Sequence, residues 1–225
     1  MGHSERVSTK TLYKLVKNGI IEAKKLRRKG KNNPKNHKET RGRINDCKTI
    51  HQCDEWYPKA STNQEYGHFE GDTIVGKHRQ SAIVTLVEKK SKYIVLLKAS
   101  RKSQEVKEAT LDWLNKQVKV TIKTLTFDRG KEFSKWKEIE QESKVPVEIF
   151  FSDPGAPGQR GLNENSNSIV RQDLPKSTDL SIHSQEKLNE IAMKYNRVPR
   201  RSLNYYTQEE IMKKATGLDS LIPIS

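Results

Sequence analysis

Cysteine is almost missing from this chain: Cys47 and Cys53 are the only two among 225 residues. Two thiols build no disulfide framework. His51 lies between them, but no second ligand pair follows at finger-like spacing, so a zinc site is not expected and the thiols are read as incidental. Long apolar runs are missing too. None approaches the roughly 18 residues that a membrane span needs, and the first residues lack the apolar core of a secretory signal. No membrane partner is expected. Apolar residues make up only 32% and aromatic residues 7%. That is little, yet enough for one sizeable domain with an appendage.

Acidic residues are also in short supply relative to basic ones. Lys and Arg number 43 against 28 Asp and Glu, a formal charge of +15. Such an excess favours a polyanionic partner, and double-stranded DNA is the expected one. The charge is uneven. Residues 1–60 hold 16 basic and 6 acidic residues, net +10, and the remainder holds 27 and 22, net +5. The expected division is a helical remnant over 1–21, a basic linker over 22–67 whose Ile50, Trp56 and Tyr57 pack onto the domain edge, a main domain over 68–216 and a tail over 217–225. In the first segment Ser8 or Thr9 caps a helix, Leu12, Leu15 and Val16 share a face, and Asn18-Gly19 stops it. It reads as the last helix of a helix-turn-helix with Lys10 and Lys14 toward DNA, or simply as a short amphipathic helix. Few residues precede it, so a longer DNA-binding head is expected to be mostly absent. Arg27 and Arg28 lie in a charge run too polar to fold alone, suited to DNA phosphates. A cytosolic chain with access to DNA is the expectation.

The main domain has a readable alternation of periods. Phe69–Val75, Ser81–Val87 and Lys92–Leu97 read as three strands with short turns, an antiparallel meander. Ser103 then opens a helix through Val118 with apolar residues at helical spacing. Ile122–Phe127 reads as a fourth strand, Lys131–Glu142 as a helix and Val145–Phe151 as a fifth strand. The fold class is therefore α/β, a mixed sheet of three antiparallel strands followed by β-α-β and flanked by helices, with a basic N-terminal extension. The proline- and glycine-rich stretch Asp153–Gly161 reads as a mobile loop at a site. Helices follow from Glu164 through Arg171, over 184–196 and over Gln208–Lys214.

Asp72 lies inside the first strand, Asp128 ends the fourth, and Glu164 begins a helix after the loop. Strand ends in an α/β layer are where sites form. Carboxylates held close together repel unless a cation neutralises them. Mg²⁺, or Mn²⁺ in its place, suits such oxygen ligands and keeps open positions for phosphate. Asp72, Asp128 and Glu164 are therefore the candidate metal ligands and catalytic residues for phosphoryl transfer on DNA.

Four stretches carry a resemblance: Gly67-His68-Phe69-Glu70-Gly71-Asp72, Thr124–Glu132, Gln159–Asn167 and Tyr195–Arg200. They resemble the catalytic domain of IS30-family transposases, within the DDE transposase and retroviral integrase superfamily. The resemblance implies an RNase H-like fold, Mg²⁺-dependent cleavage of transposon ends and strand transfer into target DNA. It also implies the triad Asp72, Asp128 and Glu164 and a homo-oligomer on DNA. Arg129, Lys131, Arg160, Asn163, Asn165, Asn167 and Arg171 become site or DNA contacts. The chain departs from the family at Phe69 and Gly158, where tryptophan is usual, and at Leu162, where a small residue is usual. Two other readings stand beside the transposase: a nuclease of the same fold, and a truncated, catalytically weak or inactive DNA-binding derivative acting as a regulator.

Overall fold

A computed structural model describes residues 8–22, 44–52, 65–77, 81–117, 122–154 and 156–217. Arg27, Arg28, Cys53, Trp56 and Tyr57 lie outside the described residues, as do Val118 and the end of the tail. The chain divides into two units, residues 1–40 and 41–225.

In the first unit α1 spans Thr9–Lys17, with Ser8 as its cap. The Ser8 hydroxyl accepts the Thr11 amide at 3.1 Å, which satisfies one of the free N–H groups of the first turn. The helix stops at Asn18-Gly19, where Gly19 takes φ +71°. Lys10 and Lys14 are exposed, and Leu15 and Val16 are half-buried.

The second unit is built on a five-stranded sheet in the order β3-β2-β1-β4-β5. The strands are β1 (His68–Val75), β2 (Ser81–Glu88), β3 (Ile94–Ser100), β4 (Thr124–Phe127) and β5 (Glu148–Phe151). β1, β2 and β3 form the antiparallel meander, while β4 pairs parallel with both β1 and β5. The sheet is mixed, as expected. β2 is buried along its whole length, because helices cover both faces. On one face α2 (Ser103–Lys116) and α3 (Trp136–Glu142) pack Trp113, Leu114 and Ile139 against Phe69, Leu86, Leu125 and Phe127. On the other, α4 (Gly161–Val170) and α5 (Gln185–Asn196) pack Val170, Leu188 and Ile191 against Ile74, Ile83 and Leu96. Each such fully buried side chain contributes about 1.5–3 kcal/mol. α6 (Gln208–Thr216) starts at a capping box of Thr207 and Glu210 and adds Met212 to the first cluster.

Several boundaries differ from the sequence reading. β3 begins at Ile94 rather than Lys92, because Lys92 sits at φ +63° in the preceding turn. β5 begins at Glu148 rather than Val145. Val145 and Val147 are buried, but Pro146 between them has no N–H for the ladder. The helix expected over Lys131–Glu142 is split into a 3₁₀ turn, Lys131–Phe133, and α3. That spacing buries both Phe133 and Trp136. Residues 44–52 of the linker pack onto the domain, as expected of Ile50. Thr49 bridges Phe151 in the parallel sense, Ile50 is buried, and the Phe151 amide donates to the Lys48 carbonyl at 2.8 Å. This short segment covers the outer edge of β5, which would otherwise offer free backbone groups to another strand.

Candidate active site

The parallel pairing of β1 with β4 builds the site. Glu70 is level with Thr126. Two residues further along both strands stand Asp72 and Asp128, and a step of two restores the same face. Neighbouring strands lie about 4.8 Å apart, so the two carboxylates meet at one edge of the sheet. Gly71 is required between Glu70 and Asp72. A Cβ there would lie 2.2 Å from Phe127 Cε1, so only glycine lets the Phe127 ring close under β1. Gly130 does similar work beyond β4. Its amide donates to Asp128 Oδ1 at 2.9 Å, in a turn where a Cβ would press on that same oxygen at 2.8 Å.

Between the two aspartates sits the guanidinium of Arg160. It approaches Asp72 Oδ1 at 3.8 Å and Asp128 Oδ2 at 3.7 Å, and its Nε donates to Ser152 Oγ at 3.2 Å. Asp72 also accepts from the Thr73 amide at 2.8 Å and from Asn167 Nδ2 at 3.0 Å. Burial pushes the Asp72 carboxyl up to about 6, with Arg160 pulling it down and Asp128 and Glu132 adding to the rise. Glu132, which was not anticipated, reaches the far face of β1, where it accepts from Thr73 Oγ1 at 3.2 Å.

α4 crosses this edge. Arg160, Glu164, Asn167 and Arg171 follow one another at steps of four, three and four, one stripe along the helix. Three of the four touch β1 or its aspartate. Arg171 staples the helix end to the strand end, donating to the Val75 and Leu174 carbonyls at 2.9 and 3.3 Å. Glu164 lies on the same stripe but is exposed. No group of three or more His, Cys, Asp or Glu side chains able to hold a metal ion is found among the described residues. The structure thus brings Asp72 and Asp128 together and leaves Glu164 one turn away from Asn167.

The other candidates divide by burial. Lys131 and Asn165 are exposed, and Arg129 is half-buried with its Nε lacking a hydrogen-bond partner. Asn163 is fully buried. Its amide donates to the Glu70 and Thr85 carbonyls at 2.9 and 3.2 Å, and it accepts from Thr85 Oγ1 at 2.9 Å. A side chain so occupied is not offered to DNA, which corrects the expectation of a contact there. The loop over 153–161 is tied down at its base, where Gln159 exchanges two hydrogen bonds of 2.8 Å with Asp153. At Gly158, nothing lies within 4 Å of a would-be Cβ, so a larger residue fits there without cost.

The donors at this edge fit a hard divalent cation. Two carboxylates already share a positive group, and the neighbouring Asn167 Oδ1 is buried without a hydrogen-bond partner. All are oxygens, the ligands Mg²⁺ prefers.

No family model matches the chain. Individual relatives do. It is 37% identical over 175 residues to the transposase for insertion sequence element IS1086 of Cupriavidus metallidurans, covering 77% of this chain and 50% of that protein. It is 37% identical over 153 residues to the transposase InsI for IS30C of Escherichia coli, covering 68% and 39%. It is 32% identical over 219 residues to the transposase for IS4351 of Bacteroides fragilis, covering 96% and 66%. The chain spans half or less of the first two relatives. It is homologous to transposases of several insertion sequences.

Proposed function

We propose that this chain is the catalytic portion of an IS30-family transposase, with an RNase H-like sheet and Asp72, Asp128 and Glu164 as its acidic triad. The observation that carries this reading is the convergence of Asp72 and Asp128, from adjacent parallel strands, on one cationic group. Homology to insertion-sequence transposases supports it, and so does the strand order β3-β2-β1-β4-β5.

Asp72 and Asp128 would hold Mg²⁺ or Mn²⁺, with Glu164 of α4 as the third acid and Asn167 Oδ1 as a further oxygen. The bound ions supply Lewis acidity to the attacking and leaving oxygens of an in-line displacement. In the joining step a 3′-hydroxyl oxygen gives up its proton and bonds to a target phosphorus, the opposite P–O bond breaks, and the departing oxygen takes up a proton, so that protons balance. No covalent bond to the protein forms. Arg160 neutralises the aspartate pair and would face the scissile phosphate, for which its planar fork is suited. Arg129 and Lys131, one and three residues beyond Asp128, are DNA contacts in this reading. Lys10 and Lys14 on α1, with Arg27 and Arg28, hold the DNA backbone. Two transposon ends call for a homo-oligomer on DNA.

The test is incubation of purified protein with labelled ends of its own element and a plasmid target in Mg²⁺ or Mn²⁺, beside an Asp128→Asn control. Joined products from the wild type alone bear the reading out. Nicks without joining point to a nuclease of the same fold. DNA binding without products marks an inactive derivative acting as a regulator.

A further inference from the structure

A helix carrying a metal ligand must be held at a defined height over the other ligands, and α4 is held in an unusual way. The first N–H groups of a helix have no partner inside it. The residue at the α4 cap position, Arg160, makes no side-chain cap bond. The partner comes instead from β1. Glu70, buried to 3% exposure, accepts the Asn163 amide at 3.0 Å through Oε2. Its other oxygen lies 3.5 Å from Lys89 Nζ. A carboxylate at this end of a helix is also favoured by the helix dipole.

Around this contact the polar groups are closed on one another. Asn163 binds the Glu70 and Thr85 carbonyls and the Thr85 hydroxyl. Thr85 stands opposite Asp72 in the β1–β2 register, and its hydroxyl lies 3.3 Å from the Asp72 carbonyl. Glu70, Thr85 and Asn163 are all buried. The single hydroxyl proton of Thr85 goes to Asn163 at the shorter 2.9 Å, so hydrogen bonds tie the β1 backbone at Glu70 and the β2 backbone and side chain at Thr85 to the residue that directly precedes Glu164. Glu70 and Asp72 are two apart on β1, so both face α4.

The geometry points to Glu70 as a positioning residue: it caps α4 from the neighbouring strand and so sets where Glu164 stands relative to Asp72 and Asp128. This rests on the metal-site reading above. Glu70 touches neither metal nor DNA. Its carboxylate acts through the first turn of α4, and loss of its charge loosens that turn while leaving the strand intact.

The test compares wild type, Glu70→Gln, Glu164→Gln and the double variant for Mn²⁺ affinity, with amide hydrogen exchange of residues 161–164 read on the same samples. Glutamine matches the size of glutamate, and circular dichroism melting identifies folded samples. For E70Q we expect faster exchange at Leu162 and Asn163 and roughly tenfold weaker Mn²⁺ binding. In the Glu164→Gln background the same change should leave Mn²⁺ affinity unmoved, because interacting sites are non-additive. Equal Mn²⁺ binding by E70Q and wild type, or an equal loss in both backgrounds, overturns the role of Glu70 alone. A wild type that binds no Mn²⁺ overturns the metal site and this role with it. Should E70Q fail to fold, Asn163→Ala and Thr85→Val take its place in the same cycle, since each removes others of these bonds.

Discussion

Replacing Arg160 by glutamine removes the guanidinium that Asp72 and Asp128 share. At 3.8 and 3.7 Å, each ion pair is worth about 4 kcal/mol at an effective dielectric of about 20. The aspartates are 27% and 33% exposed, so water screens each pair to roughly 0.5–1 kcal/mol, about 1–2 kcal/mol for the two. A divalent ion entering between the carboxylates has to displace that contact. Since about 1.4 kcal/mol is tenfold in an equilibrium constant, Arg160→Gln should bind Mn²⁺ roughly tenfold more tightly in the absence of DNA. The metal-free variant should be less stable, because two carboxylates then face each other without a counter-charge. Joining of DNA should nonetheless fall, because the proposed phosphate contact is gone. Titration calorimetry with Mn²⁺ on wild type and variant, each checked by thermal melting, reads the first effect. Unchanged or weaker Mn²⁺ binding by the folded variant would refute the idea that Arg160 competes with the ion.

Stability against pH gives a second check. The Asp72 carboxyl is raised from 3.8 to about 6, so between those values the folded chain holds a proton that the unfolded chain has lost, and stability falls as pH rises. His68 is lowered from 6.5 to about 4 by burial, so over almost the same window the unfolded chain holds the extra proton and stability rises. The two slopes oppose each other, and Asp72→Asn should expose the rising one in urea unfolding without metal. A wild type and variant with parallel profiles would contradict this. Gly71→Ala would put a methyl 2.2 Å from Phe127 Cε1, on a ring already stacked on Phe133 at 4.2 Å. Such overpacking should cost about 1–3 kcal/mol in urea unfolding. Thr207→Ala removes the α6 capping box and should cost about 1 kcal/mol while leaving Mn²⁺ affinity unchanged.

Local patterns carried much of the fold. The β-branched run Ser81–Val87 and the short turns around it and around Phe69–Val75 marked strands that the structure confirms within one residue at their ends. The change of period after Ser103 marked α2. Boundaries failed where a long-range partner decided them. Lys131–Glu142 has one helical pattern, yet it breaks because Phe133 and Trp136 both go into a core formed by distant strands. In the linker the apolar Ile50 marked a contact with the domain edge, which the structure bears out, while only the tertiary structure shows that this edge is β5.

What the sequence determined by itself is the supply of chemistry: an aspartate inside one strand, a second at the end of another, a glutamate opening a helix, and a charge suited to DNA. Those features depend on residue type and on periods of two and 3.6, which are local. What only the tertiary structure decided is how the groups meet. The parallel register of β1 and β4 sets Asp72 level with Asp128. The packing of α4 then gives Arg160 to the aspartates and Asn163 to the buried strand. Asn163 and Asn165 stand two apart in one motif, but one is fully buried and the other exposed. That difference follows from which side of the helix the sheet lies on, and it is fixed by contacts with residues more than seventy positions away.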